Sequence, residues 1–524
     1  MKKLHILYPV AGLLGLMFAF SQCDKTPPEA ALLAPYAETS LEVNAGNWKT
    51  YLTIDSNKTA VPTPDAAGSA AYLTELNNLR SKMAAATAEE KELATWWGSN
   101  GVLRWHEIAR ELAALYNVPP NYITDPTTGA LVYPPPAFDP ANPDAYPRAP
   151  FANPPIASRM FALLAVAQYD ALVACWHRKF QHNRLAPYKN ATDIQPLIPT
   201  NDLPSYPSED AVVAAASREI LKAIFPREVA NVTAKAEEHK NSRLWAGANV
   251  QSDLSVGDSL GRVIAQNILK EWAAKDRMGM ANNQAGFQAQ RDAAAALGYT
   301  NQWHSLDIPV RAPMLPAFGN VKCWNFDDAT KAAIRPVAPP QPGSAEFEAA
   351  LEELRGFSKN RTREQQRITT FWSDGAGTYT PPGHWNRRAA NLIYDNQFNE
   401  IRTARAMALV TTAMVDAGIV CWEAKYYYLL PRPTEADPSI TTGTGIPNFP
   451  AYASGHSTFS SAAAEVLSYL FPSNQSELRA WAQEAADSRV YGCIHYRFDS
   501  ENGLVHGKKV GEFAVTRGRN DGSE

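Results

Sequence analysis

Residues 157–180 read ASRMFALLAVAQYDALVACWHRKF, a stretch apolar nearly all round. A helix with no polar face must be buried on every side. It needs a shell of other elements, and therefore a large core. The 524-residue chain can supply one large domain or two packed ones. The other patterns are helical too. One covers about 70–117. Ser208-Glu209-Asp210 opens a 3.6-type pattern over 208–225, and 227–247 and 255–275 repeat the theme. Helical patterns resume at 345–370, 385–400, 402–424, 457–471, 477–493 and 504–517. Few alternating runs exceed four residues, and no sequence repeat stands out. The Pro-rich segment 124–155 excludes regular helix and reads as a wrapped loop or a linker, and 310–345 is Pro-rich and irregular. The expected fold is all-α: two packed helical bundles, 69–310 and 311–524, joined and covered by long Pro-rich loops.

The N-terminus stands apart. Lys2 and Lys3 precede LHILYPVAGLLGLMFAF, which ends at Ser21-Gln22-Cys23. This is the pattern of a signal over residues 1–23. The apolar run spans 17 residues and carries His5 and Pro9, which disfavours a permanent transmembrane helix. Cys23 and the TPPEA stretch close behind it resemble a bacterial lipoprotein signal, which implies lipidation of Cys23, export and a membrane tether over 24–68. Gln22 departs from the small residue usual before a lipidated Cys, so an uncleaved anchor and plain secretion stay open. No second apolar run near 20 residues stands out. A net charge of −4 gives no basic field for nucleic acid. Cys175, Cys323, Cys421 and Cys493 lie far apart without zinc spacing. Export permits disulfides among them, and buried free thiols suit them equally.

Polar clusters at loop–helix junctions gather in the last 150 residues. Lys425 closes an apolar helix, and Pro431 turns the chain so that Arg432 stands between two prolines. A flexible ammonium and a rigid fork suit a tetrahedral oxyanion, although cations near a helix end are commonplace. In FPAYASGHSTFSSAAAEVL (449–467), Ser454 offers a hydroxyl and Gly455 lets backbone N–H groups approach a ligand. A helix starting near Ser457 adds its positive end. His456 stands there as an acid–base group or as an incidental loop residue. His495 and Asp499 are four apart, which in a helix places them on one face, and Arg489 adds another fork. Asp374, in FWSDGAGTYTPPGHWN, reads as an anchor for an arginine or as a turn former. Together these groups suit a phosphate-like anion, with one imidazole to attack or ligate its central atom and one to move protons.

In this order the clusters resemble the three-part signature of the type 2 phosphatidic acid phosphatase and vanadium haloperoxidase superfamily. Lys425 to Pro433 gives K-x6-R-P, Ser488 to Asp499 gives S-R-x5-H-x3-D, and the P-S-G-H motif has Ala453 for Pro. The match covers about 370–515 and puts the site mainly in the C-terminal bundle. FPAY-SGH-TF and HYRFD are similar to the chloroperoxidase branch. That resemblance implies vanadate as cofactor, with phosphate able to take the same site. It implies Lys425, Arg432, Ser454, Gly455 and Arg489 on the oxygens, and His495, beside Asp499, as the ligand to vanadium. His456 would be the acid–base group, Asp374 would steady Arg489, and Trp422 and Phe449 would line the halide side. The substrates implied are hydrogen peroxide and halide, giving hypohalous acid. A phosphatase forming a phosphohistidine at His495 is the alternative, and a binding protein without turnover a third reading.

Overall fold

A computed structural model describes residues 33–38, 40–53, 59–117, 123–124, 131–132 and 153–524. Cys23 with its signal, and most of the Pro-rich 124–155 segment, lie outside the described residues. The helices of nine residues or more are α1 (Ala70–Ala85), α2 (Ala88–Trp97), α3 (Gly101–Tyr116), α4 (Pro154–His182), α5 (Glu209–Ile224), α6 (Val229–Trp245), α7 (Gln251–Ile268), α8 (Phe287–Ala296), α9 (Ala345–Asn360), α10 (Arg363–Phe371), α11 (Thr380–Asp395), α12 (Glu400–Tyr428), α13 (Gly455–Leu470), α14 (Gln475–Tyr491) and α15 (Arg497–Arg519). The β structure among the described residues is one antiparallel pairing, Ile123 with Val132 and Thr124 with Leu131. The fold is all-α, as the periodicity predicts.

α4 and α12 are the two longest helices, and they pack against each other at the centre. Each starts on an asparagine cap: Asn153 Oδ1 accepts from Ile156 N–H, and Asn399 Oδ1 from Arg402 N–H. Both are also apolar enough over a sufficient length to resemble membrane spans, contrary to the expectation that no second such run exists. Windows in Pro154–Asn190 and Glu400–Ala436 have mean hydropathies of 1.4 and 1.5, enough to cross a membrane by length and composition. Those windows are 89% and 100% buried by protein, so their apolarity is spent on the core.

Buried carboxylates tie loops to this central pair. Asp416 of α12 accepts from the Trp324 and Asn325 N–H groups at 2.7 and 3.0 Å, and from Asn325 Nδ2 at 2.9 Å. Asp170 of α4 holds the Tyr51 and Leu52 N–H groups in the same way. Asp416→Ala strands three donors in or near the core. It is expected to cost about 3 kcal/mol, read as a lower urea midpoint at unchanged m. A loss below about 1 kcal/mol would show that the loop holds itself.

Several element boundaries differ from those the patterns predict; the 70–117 stretch is three helices, α1 to α3. The 345–370 pattern is two helices, because Thr362 caps α10 reciprocally with Gln365. α11 starts at Thr380 rather than near 385, since Pro381 and Pro382 fall in its first turn, where an N–H is not needed. α15 starts at Arg497 rather than 504. It crosses α13 closely: a Cβ at Gly507 would lie 2.2 Å from the Thr458 carbonyl, and one at Gly503 would lie 2.7 Å from Ser457 Cβ. The four cysteines Cys175, Cys323, Cys421 and Cys493 are buried free thiols.

Candidate oxyanion site

The α13–α15 crossing brings the start of one helix to the start of the other, and Ser454 N–H donates to the Asp499 carbonyl at 3.0 Å. α12 ends on Leu429, held in the left-handed region at φ 50°. A non-glycine residue is there at a cost of about 1 kcal/mol. The turn drops the chain through Leu430 and Pro431 onto Arg432, which is fully buried. Glu435 Oε2 accepts the Arg432 N–H at 2.6 Å and fixes that turn.

Arg432 organises the floor. Its Nε donates to the Phe449 carbonyl at 2.9 Å and its Nη1 to the Ile494 carbonyl at 2.8 Å. Nη1 also lies 3.1 Å from His495 Nε2. On the other side of that ring, Asp499 Oδ2 accepts from Nδ1 at 2.9 Å. A guanidinium only donates and a carboxylate accepts, so the imidazole is pinned with its proton on Nδ1 and a lone pair on Nε2. Arg489 donates from Nε to Ser488 Oγ and from Nη2 to the Thr369 carbonyl, both at 2.8 Å. The Lys425 ammonium donates to the Pro450, Ala451 and Ala453 carbonyls at 2.9, 2.9 and 2.6 Å. The Trp422 and Phe449 rings meet at 4.9 Å, with Lys425 Nζ and the Arg432 guanidinium each 5.0 Å from the Phe449 ring.

Three buried cations, Lys425, Arg432 and Arg489, thus serve this site, and the buried Asp499 carboxylate feels the charge of the first two. Unbalanced charge in a core is expensive, and an anion relieves it. One donor and one imidazole nitrogen await it: Arg432 Nη2 and His456 Nε2 are buried with no partner among the described residues. The N–H groups of Gly455 and His456 open α13 and have no intrahelical partner. A Cβ at Gly455 would meet only Trp422, at 3.8 Å, so there is room beside them. These residues fit a tetrahedral oxyanion.

Burial sets the protonation states. It pushes Lys425 down to about 7, and Arg432 and Arg489 down to about 10. It holds His456 and His495 well below the usual imidazole value, with Arg489 and Arg432 respectively adding to the effect, and it raises Asp499 to about 7. Lys425 therefore loses its charge as pH rises through about 7, and a bound anion restores it. Sulfate does not titrate near neutrality. Its binding at pH 8 is expected to take up close to one proton, and its affinity to fall by up to about tenfold per pH unit above 7. Calorimetry in buffers of different ionisation enthalpy reads the uptake, and Lys425→Met should abolish it. Uptake that persists in that variant would assign the proton elsewhere.

One expectation needs correction. His495 and Asp499 do meet, but not across a helical face: α15 begins at Arg497, and Asp499 turns back from its first turn to His495 and to the Tyr496 N–H. Asp374 makes no hydrogen bond to Arg489. It pairs with His384 Nδ1 at 3.3 Å and acts on Arg489 only through its charge. The helix after Ser454 starts at Gly455, and Ser454 Oγ caps it from 3.4 Å. Sequence reading missed Glu435, although its place three residues after Arg432 has capping-box spacing. It also missed the backbone carbonyls, which no side-chain pattern announces.

Comparison with known proteins adds a family match and a likeness of fold. Residues 405–516 match the PAP2 superfamily, and the chain carries a PAP2 superfamily domain there. The match holds Lys425, Arg432, Ser454, Arg489 and His495 but not Asp374 or His384. A bacterial vanadium-dependent iodoperoxidase is similar in structure, with TM-score 0.53 and 24% identity over 70% of this chain and 92% of that one. The apo and holo forms of a bacterial vanadium-dependent chloroperoxidase are similar with TM-score 0.51 and 14% identity, covering 70% and 73% of this chain and 95% and 96% of theirs. At these identities the likeness is one of fold. No curated protein matches the chain.

Proposed function

We propose that this protein is a vanadate-dependent haloperoxidase that oxidises halide with hydrogen peroxide to hypohalous acid. The observation that carries the reading is the His495 ring, pinned by Asp499 and Arg432 among three buried cations, with Arg432 Nη2 and His456 Nε2 buried and unpartnered among the described residues. The folds of the iodo- and chloroperoxidases support it.

His495 Nε2 and the donors of Arg432, Arg489, Ser454 and Gly455 would hold vanadate, which supplies Lewis-acid activation of peroxide without changing its own oxidation state. His495 must offer Nε2 as a lone pair, so Arg432 Nη1 gives up that contact and keeps the Ile494 carbonyl. His456 is neutral at pH 7, which suits it to accept a proton from peroxide at Nε2. Lys425 adds positive charge and braces the 450–453 turn. Trp422 and Phe449 exclude water on the side assigned to halide. Export and tethering through Cys23 belong to the same proposal, and mass spectrometry of the N-terminal peptide tests them.

The PAP2 match favours a second reading, a phosphatase in which His495 Nε2 attacks phosphorus and Asp499 holds the ring. The test is peroxide-dependent iodide and bromide oxidation with orthovanadate, run beside p-nitrophenyl phosphate hydrolysis without it. Vanadate-dependent halide oxidation supports the proposal. Robust hydrolysis with no halide oxidation rejects it.

A further inference from the structure

Pro154 and Glu400, which open α4 and α12, are 246 residues apart, and so are the starts of α5 and α13, α6 and α14, and α7 and α15. α4 and α12 both run 29 residues, α5 and α13 both 16, and α6 and α14 both 17. The same step carries Lys179 to Lys425, Tyr206-Pro207-Ser208 to Tyr452-Ala453-Ser454, Ser242-Arg243 to Ser488-Arg489, and Asp253 to Asp499. The chain does carry a repeat, contrary to the expectation from its sequence.

Hydrogen bonds repeat with the residues. Ser208 N–H donates to the Asp253 carbonyl at 3.0 Å, as Ser454 does to Asp499. Arg243 donates from Nε to Ser242 Oγ and from Nη2 to the Ala94 carbonyl, both at 3.0 Å, as Arg489 does to Ser488 and Thr369. The Lys179 ammonium donates to the Pro204 carbonyl at 2.6 Å, in the place of the Lys425 bond to Pro450. The N-terminal bundle thus holds a second frame for an oxyanion.

Four positions differ, and they fill that frame. Ala186 stands for Arg432, Asn249 for His495, and Glu209-Asp210 for Gly455-His456. Where Gly455 leaves room beside the helix start, Glu209 puts a carboxylate whose Oε2 lies 2.5 Å from Lys179 Nζ. Asp210 Oδ2 lies 3.8 Å from Arg243 Nη1. Trp105 Nε1–H donates to His239 Nδ1 at 3.1 Å, so His239 Nε2 carries the proton and donates it to Asp210 Oδ1 at 2.9 Å. Lys179 and Arg243 are buried, and each meets its counter-charge within the chain. Burial lowers both ammonium groups, taking Lys425 to about 7, but the Glu209 charge carries Lys179 above the ordinary lysine value instead. Glu38 and Glu400 line the cavity beside Glu209, Asp210 and Arg243, so further carboxyl groups flank the approach.

We propose that the N-terminal bundle is a second oxyanion site closed by its own side chain: the Glu209 carboxylate, with Asp210 beside it, occupies the place that the C-terminal bundle leaves open for an anion. The ligand class of this frame is a tetrahedral oxyanion such as sulfate or phosphate, which enters once the carboxylates are removed. Asn249 has no basic ring nitrogen, so the opened site binds an oxyanion through donors alone.

The test counts sulfate bound to the full chain by calorimetry at pH 6, below the Lys425 value of about 7. Wild type should bind one sulfate per chain. The double variant Glu209→Gly with Asp210→His, which copies the C-terminal pair, should bind two, the second more weakly because Ala186 lacks the Arg432 fork. Adding Lys179→Met should remove the second and leave the first. A folded double variant that binds no more sulfate than the wild type overturns the proposal. So does a sulfate on the wild type that Lys179→Met removes. If the double variant does not fold, Glu209→Gln decides, because it keeps the shape and strips the counter-charge from Lys179. Sulfate should then raise the urea midpoint of that variant more than that of the wild type, and equal responses overturn the proposal. A wild type that binds no sulfate counts against the C-terminal site, and a gain from none to one in the double variant still supports this proposal.

Discussion

His495→Ala is expected to weaken orthovanadate binding on the order of a thousandfold, beyond the 10- to 100-fold that supporting residues carry around a metal. Nε2 is the group in the pocket with a lone pair presented by fixed partners on both sides of its ring. Sulfate cannot use that lone pair and relies on the donors, so its affinity should change by no more than about tenfold. The gap between the two anions separates ligation from general loss of the pocket. Equal losses for both would mean that His495 only shapes the site.

The second large effect is expected at Arg432. One side chain holds the Phe449 and Ile494 carbonyls, braces His495 and points Nη2 at the anion position. Arg432→Ala leaves those carbonyls buried and unpaired beside the Asp499 carboxylate. Destabilisation of about 3 kcal/mol follows, together with a loss of sulfate and vanadate affinity exceeding about a hundredfold. Arg432→Lys restores charge but cannot form the fork, so it should recover little of either. Urea unfolding and calorimetry read the two effects separately. Affinity within tenfold of wild type in the Ala variant would show that Arg489 and the α13 start suffice.

Much of this was legible in the sequence because side-chain chemistry carries it. The apolar faces of α4 and α12 require a large helical core. K-x6-R-P and S-R-x5-H-x3-D name the cations and the imidazole that the fold then assembles. What stayed hidden depends on the backbone. Lys425 satisfies its ammonium on three carbonyls of the 450–453 turn, which no residue pattern encodes. The partner of Asp374 is decided by where α11 begins, and two prolines read as loop are its first turn. His384 was visible only as a letter in GHWN, because its pairing with Asp374 depends on the same start of α11.

The proposed activity requires vanadate at His495. A crystal of the protein soaked in orthovanadate, measured at an energy where vanadium scatters anomalously, tests this directly. The expected result is one peak bonded to His495 Nε2, with an oxygen on Arg432 Nη2. A peak elsewhere, or none at saturating orthovanadate, contradicts it.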